Sequence, residues 1–88
     1  MTLTQHASEV DVASVADTVI EICRTVFEDS QISVESSSET VEHWDSLGHM
    51  RLITALEERF GIELDVMEMA EVSTVQQLIA VVEASAGA

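Results

Sequence analysis

The fold of this chain is decided by the segment Trp44-Asp45-Ser46-Leu47-Gly48-His49-Met50. Here a polar stretch, residues 30–45, gives way to apolar residues at helical spacing that continue through Phe60. The pattern predicts that an amphipathic helix begins at Ser46. A serine at a helix start is commonly an N-cap, which satisfies backbone N–H groups that have no partner inside the helix.

The composition fits one small domain. The chain has 88 residues, of which 47% are apolar, and this is enough for a modest core. It has no proline and only three glycines, which argues against a protein rich in β-hairpins. The formal net charge is -14. Such a surface repels nucleic acid and anionic membranes, and it favours partners with basic docking patches.

The single cysteine, Cys23, excludes a disulfide within the chain and a cysteine-based zinc cluster. Its neighbours Ile22 and Val26 indicate a small core residue. Residues 1–10 lack the basic and apolar regions of a signal peptide. No apolar run approaches the length that spans a membrane. We therefore expect a soluble cytoplasmic protein. We also expect a monomer.

The first half of the chain predicts a tail, a helix and a long loop. Residues 1–10 are polar and are expected to be flexible. A helix is predicted from about Val12 to Glu28, because its apolar residues fall within an arc of roughly 160°. Residues 29–45 then form a connection longer than is usual, and such loops tend to be functional or disordered. Its serine run, residues 36–38, indicates flexibility. Four apolar residues are expected to pin this loop to the core: Ile32, Val34, Val41 and Trp44.

The second half predicts three further helices. The helix from Ser46 to Phe60 ends at Gly61, which suits the left-handed conformation after a helix. One or two helical turns are predicted within residues 63–71. The last helix opens at Ser73-Thr74-Val75-Gln76, which has the form of a capping box. The sum is an all-α, small four-helix bundle with three principal helices, one short helix and a long first loop. The bundle is predicted over residues 11–84, with a fraying C-terminus at 85–88.

The predicted second helix has one face that does not belong to the core. With Ser46 at 0° and steps of about 100°, the core stripe lies between roughly 240° and 340°. This stripe contains Leu52, Ile53, Leu56 and Phe60. Leu47 falls near 100° and Met50 near 40°, while Arg51, Thr54 and Glu58 lie between about 80° and 140°. A solvent-facing leucine beside a helix-start serine indicates a docking patch.

The sequence does not support catalysis or metal binding at Ser46. A hydrolytic triad needs an ordered base and an oxyanion hole. His43 and His49 flank the serine, but no Gly-x-Ser-x-Gly motif is present. The spacing of these histidines matches no helical pair of metal ligands, so we expect surface histidines and no metal site. A helix N-terminus does stabilise a phosphate on the hydroxyl, through free N–H groups and the helix dipole.

Asp45-Ser46-Leu47, followed by a helix that ends in Ala55-Leu56-Glu57-Glu58-Arg59-Phe60-Gly61, resembles the phosphopantetheine attachment region of the acyl carrier protein family. The resemblance covers roughly residues 41–83. It implies a carrier and not an enzyme. Ser46 would be esterified by the 4′-phosphopantetheine of coenzyme A, which a separate phosphopantetheinyl transferase donates. The terminal thiol of that arm would then hold acyl groups as thioesters.

The resemblance also implies roles for the neighbours of Ser46. Asp45 would help at the transferase step. Leu47, Met50 and Thr54 match positions that dock partner enzymes, and Arg51 lies on the same face. The implied partners are the transferase and the acyl-loading, acyl-transferring or condensing enzymes.

Three residues of the second helix depart from the carriers of fatty acid synthesis, which usually have acidic residues along its exposed face. This chain has Gly48, His49 and Arg51 there. The departure favours a discrete carrier of polyketide or other secondary metabolism.

Several alternatives remain open. Peptidyl carriers more often have histidine directly before the serine, where this chain has Asp45, so aminoacyl loading ranks second. A small acyl unit such as lactyl or glyceryl is also compatible. From other classes come an unmodified acidic helical adaptor that binds a basic partner, and, last, a small hydrolase that uses Ser46 and a flanking histidine.

Overall fold

A computed structural model of the protein describes the backbone of residues 2–87 and the side-chain environments of residues 15–85. The described residues form four helices: α1 (Thr2–Phe27), α2 (Ser46–Phe60), α3 (Val66–Met69) and α4 (Val75–Gly87). The only β-type pairing among them is an isolated antiparallel bridge between Ser37 and Thr74. The prediction of an all-α bundle with three principal helices and one short helix is confirmed.

The first helix starts earlier than the sequence predicted. α1 begins at Thr2 instead of Val12, and it ends at Phe27, one residue before the predicted end. Glu28 follows in the left-handed region with φ 53, and the Asp29 N–H donates to the Arg24 carbonyl at 3.0 Å. The flexibility of residues 1–10, the bundle limits 11–84 and the fraying of residues 85–88 stay predictions. Met1 and Ala88 lie outside the described residues.

One hydrophobic core holds the helices together. α1 packs against both α2 and α4, and α3 contributes its last residue, Met69, which is fully buried. Each helix therefore covers an apolar face that would otherwise be exposed, which is the main stabilising term in a bundle of this size. Eight further side chains are completely inaccessible to solvent: Val19, Cys23, Phe27, Leu52, Leu56, Val75, Leu78 and Val82.

The long loop between α1 and α2 is anchored by its apolar residues. Ile32, Val41 and Trp44 are buried, and the Arg24 side chain donates to the Ile32 carbonyl at 2.9 Å. Val34, which was expected to help, is 41% exposed. Its prediction as an anchor was wrong, because three neighbours already hold this part of the loop on the core.

The serine run of the loop is hydrogen-bonded to the start of α4. The Ser38 N–H donates to the Ser73 carbonyl at 2.8 Å, and the Val75 N–H donates to the Ser36 carbonyl at 3.0 Å. The run is therefore tied by its backbone to the segment that precedes the last helix, although its composition indicated a flexible stretch.

The helix ends follow local chemistry. Gly61 ends α2 with φ 65 and ψ 41, the predicted left-handed conformation. At α4, Thr74 Oγ1 accepts from the Gln77 N–H, and Gln77 Oε1 accepts from the Thr74 N–H, both at 3.1 Å. The capping box is thus Thr74 with Gln77, one residue later than predicted. Among the described helices, none has the length and apolar character needed to cross a bilayer.

Candidate functional site

Asp45, and not Ser46, caps the second helix. The Asp45 carboxylate accepts a hydrogen bond from the Gly48 N–H at 2.8 Å, while its backbone carbonyl accepts from the His49 N–H at 2.7 Å. Ser46 is the first helical residue and is exposed. Because the carboxylate performs the capping role, the serine hydroxyl is not needed for it and faces solvent at the helix N-terminus.

Gly48 lets the first turn of α2 pack closely against the rest of the protein. It is buried, and a Cβ at this position would overlap the His43 carbonyl oxygen and lie 3.0 Å from Phe27 Cε1. The sequence prediction placed Gly48 on the exposed face of the helix, and this was wrong. The close contact with the loop and with the end of α1 fixes the position of the neighbouring Ser46.

The predicted surface of α2 is exposed. Leu47 is 61% and Met50 is 52% accessible to solvent, and Arg51 and Thr54 are also exposed. On the opposite side Leu52, Ile53 and Leu56 are buried, and Phe60 is partly buried. α3 adds two further exposed apolar residues, Val66 and Met67. The structure thus brings Ser46 and the four predicted docking residues onto one end and one face of a single helix, while their docking role stays a prediction.

His49 has a structural role that the sequence interpretation missed. The Trp44 indole Nε1–H donates to His49 Nδ1 at 2.9 Å, and His49 Nε2 lies 2.7 Å from the Met69 carbonyl oxygen. An indole nitrogen can only donate, so Nδ1 accepts and Nε2 carries the proton that bonds to Met69. His49 therefore connects the loop, α2 and α3, and is not the surface histidine that was expected.

A signal for this role was present in the sequence. His49 follows Ser46 by three residues and falls at about 300° on the helical wheel, inside the core stripe. Its acceptor, however, is the backbone carbonyl of Met69, and every residue has such a carbonyl. Sequence alone can place His49 on the inner face of α2, but it cannot name the partner there.

The two histidines do not form a catalytic or metal site with Ser46. Both ring nitrogens of His49 are engaged by Trp44 and Met69, so neither is available as a base for the serine. His43 is exposed. In the part of the chain whose side chains are described, no group of three or more His, Cys, Asp or Glu could hold a metal ion.

Cys23 is a core residue. It is fully buried, and burial raises the pKa of its thiol to about 12. Desolvation disfavours the thiolate, which is the reactive form of cysteine. The expectation that Cys23 is a packing residue and not a nucleophile is consistent with this environment.

A groove of about 520 Å³ lies beside Ser46, between the loop, α2 and α3. Its apolar lining includes Met50, Val66 and Val72, and its polar lining includes Ser38 and Ser73. Among the described side chains, every buried nitrogen or oxygen atom has a hydrogen-bond partner. The groove is a surface feature beside Ser46, and residues with apolar and with hydroxyl side chains line it.

Residues 17–82 match the family model described as phosphopantetheine attachment site. The chain belongs to this family. A similar solved structure is the solution NMR structure of holo acyl carrier protein from Geobacter metallireducens, with 32% sequence identity and a TM-score of 0.74. The match covers 83% of this chain and 86% of that chain. No curated protein matches the sequence.

The cofactor of this carrier is covalently attached 4′-phosphopantetheine. The start of α2 fits such a group, because an exposed hydroxyl stands at a helix N-terminus whose free N–H groups and dipole stabilise a phosphate. The adjoining groove has room for an extended polar arm. When bound, the group supplies a terminal thiol that holds acyl groups as thioesters.

Proposed function

We propose that this protein carries its phosphopantetheine on Ser46 and serves as a discrete acyl carrier in polyketide or related secondary metabolism, without catalytic activity of its own. The observation that carries the proposal is the division of roles at the start of α2. Asp45 caps the helix through its carboxylate, which leaves the exposed Ser46 hydroxyl beside a groove. Within the matched family region, this arrangement offers an accessible attachment point.

Asp45 has a second role in this proposal. Its hydrogen bond to the Gly48 N–H holds the carboxylate in a fixed position next to the serine. A fixed negative charge at this point gives the transferase a fixed charged contact beside Ser46. The same side chain therefore organises the helix start and takes part in modification of the residue that follows it.

The docking face consists of Leu47, Met50, Arg51 and Thr54. Its two large apolar side chains are more than half exposed, and a shallow depression of about 350 Å³ runs past Met50, Arg51 and Thr54 to Glu58. Exposed apolar groups surrounded by polar residues are typical of interaction sites. We propose that the transferase and the acyl-loading and condensing enzymes bind here.

Arg51 supports the assignment to secondary metabolism. Of the three departures from carriers of fatty acid synthesis, Gly48 is buried and His49 is bonded inward, so only Arg51 changes the charge of the exposed face. A positive charge here repels a basic docking patch, whereas the remainder of a chain with net charge -14 attracts one. The docking surface of a partner should therefore be basic where it faces the acidic parts of this chain, and apolar or acidic where it contacts Arg51.

The proposal is tested by measuring the intact mass after incubation with coenzyme A, magnesium and a promiscuous phosphopantetheinyl transferase. The wild type should gain one phosphopantetheine and Ser46→Ala none. Ser38→Ala and Ser73→Ala are matched controls, because they remove hydroxyls from the same groove, and both should be modified like the wild type. A folded, initially unmodified wild type that gains no mass would favour the unmodified acidic adaptor.

A further inference from the structure

We propose that Trp44, His49 and the Met69 carbonyl form a latch that keeps the acyl group out of the helical bundle. The cargo would then stay in the surface groove beside Ser46, and the protein would suit short or polar acyl groups. The inference rests on the proposed attachment at Ser46. It concerns where the cargo lies, and so it can fail while the attachment itself stands.

The latch stands between the groove and the core. Trp44 and His49 both line the groove, yet Trp44 is only 5% exposed. On its inner side the Trp44 ring stacks on Phe27, with centroids 5.2 Å apart, and Phe27 is fully buried. A chain that entered the bundle toward α1 would have to displace this aromatic pair.

The latch also closes the route between α2 and α3. The two hydrogen bonds of His49, 2.9 Å to Trp44 and 2.7 Å to Met69, tie these elements together at the end where Ser46 lies. The Met69 side chain is fully buried. The residue whose carbonyl bonds to His49 therefore also occupies space in the core. An alkyl chain cannot replace either hydrogen bond, so its entry would leave an indole N–H and a backbone carbonyl unpaired against apolar atoms.

The groove outside the latch suits a small cargo. Its lining combines apolar side chains with the hydroxyls of Ser38 and Ser73, and it is open to solvent. A short or hydroxylated acyl group can remain there at little cost in free energy. It has few methylene groups whose burial would be favourable, and its polar atoms are hydrated in the groove.

The test compares arms loaded with acetyl and octanoyl groups, which the transferase installs from the corresponding acyl-coenzyme A. The first readout is the rate of thioester cleavage by hydroxylamine, divided by the rate for the same free acyl-coenzyme A. The second is the fluorescence of Trp44, which is the only tryptophan of the chain. In the wild type we expect equal relative cleavage rates for both arms, and Trp44 emission serves to compare the variants with the wild type.

His49→Phe removes both hydrogen bonds while keeping a ring beside Trp44. In this variant the octanoyl arm should be protected from cleavage, by about fourfold for each methylene that becomes buried, and Trp44 emission should shift on octanoylation. His49→Gln keeps a hydrogen-bond acceptor and a donor, so it should behave like the wild type. If His49 acted only by filling space, there would be no reason for glutamine to preserve the wild-type behaviour. The exposed His43 provides a matched control, because His43→Phe should change neither readout.

Protection of the octanoyl arm from cleavage in the wild type would overturn the proposal. Unchanged behaviour of His49→Phe would also overturn it, since the hydrogen bonds would then not control access. If His49→Phe loses its helical circular dichroism, His49→Leu takes its place in the cleavage assay, because it also removes both hydrogen bonds of the His49 ring. Failure of the wild type to accept any arm on Ser46 would instead refute the proposed function.

Discussion

At the scale of single residues, the site depends on two neighbours with separate roles. Asp45 satisfies the backbone at the start of α2, and Ser46 is the first residue inside the helix, with an exposed side chain. If the serine itself were the N-cap of α2, its hydroxyl would be hydrogen-bonded to the backbone of the first turn. The carboxylate therefore leaves the Ser46 hydroxyl outside the cap, as the proposed attachment requires.

This division predicts different effects of two substitutions at Asp45. Asp45→Ala should lower the free energy of unfolding by about 1 kcal/mol, because an N-cap is lost. Asp45→Asn should keep the stability, since asparagine caps as well as aspartate, yet it should slow phosphopantetheine transfer because the charge is gone. Urea denaturation and transferase rates measure the two effects. An Asp45→Asn variant that is modified at the wild-type rate would show that the charge has no role in transfer.

At the scale of elements, α2 serves the core with one face and the surface with the other. The helical spacing of its apolar residues was sufficient to predict both faces, because Leu52 and Leu56 are buried while Leu47 and Met50 are exposed. Contacts with other elements were harder to predict. Gly48 is buried because the loop carbonyl of His43 approaches it, and such an approach depends on the tertiary fold.

The exposed face of α2 gives the second prediction. Leu47→Asp and Met50→Asp should each leave the thermal midpoint nearly unchanged and slow phosphopantetheine transfer, because they place a charge in an apolar contact. Leu56→Ala, at a fully buried position, is the control and should cost about 2–5 kcal/mol. Arg51→Glu should alter the relative rates with different partner enzymes while stability is kept. A large loss of stability in Leu47→Asp would mean that this residue belongs to the core.

The ends of α1 and α4 show where local patterns fail. The residues before Val12 lack the apolar spacing that predicted the rest of α1, although the helix begins at Thr2. At α4, both Ser73 with Gln76 and Thr74 with Gln77 satisfy the capping-box pattern. The structure selects Thr74 with Gln77, and the backbone pairing of Ser38 with Ser73 holds the preceding residue outside the helix.

At the scale of the whole molecule, a small core carries a surface of strongly negative charge. The fold class followed from composition and periodicity, because a chain with three amphipathic helical segments can bury their apolar faces only against one another. The connection from His49 to Met69 did not follow, since it depends on how α3 lies against α2. The proposed latch therefore required the three-dimensional structure.

The buried Cys23 predicts how the stability of the molecule responds to alkaline pH. Burial raises the pKa of the Cys23 thiol to about 12. The stability that the neutral buried thiol contributes is therefore complete below about pH 9, where the thiol is also neutral in the unfolded chain, and is lost as the pH rises toward 12. The loss should reach at most about 1.4 kcal/mol for each pH unit. The chain has no tyrosine, and its three basic residues are arginines, so few other groups titrate in this range.

Urea denaturation of the wild type and of Cys23→Ala across this range provides the measurement. As the pH rises above 9, the free energy of unfolding of the wild type should fall relative to that of Cys23→Ala. A difference that stays constant from pH 8 to pH 11 would contradict the buried environment of this thiol.

The most direct test of the central claim is to locate the added group on the chain. The holo protein, prepared with the transferase and coenzyme A, is digested and its peptides are fragmented by mass spectrometry. The chain has ten serines, and we expect one phosphopantetheine on Ser46 and none on the other nine. Modification at any other serine, or a folded protein that stays unmodified, would contradict the account.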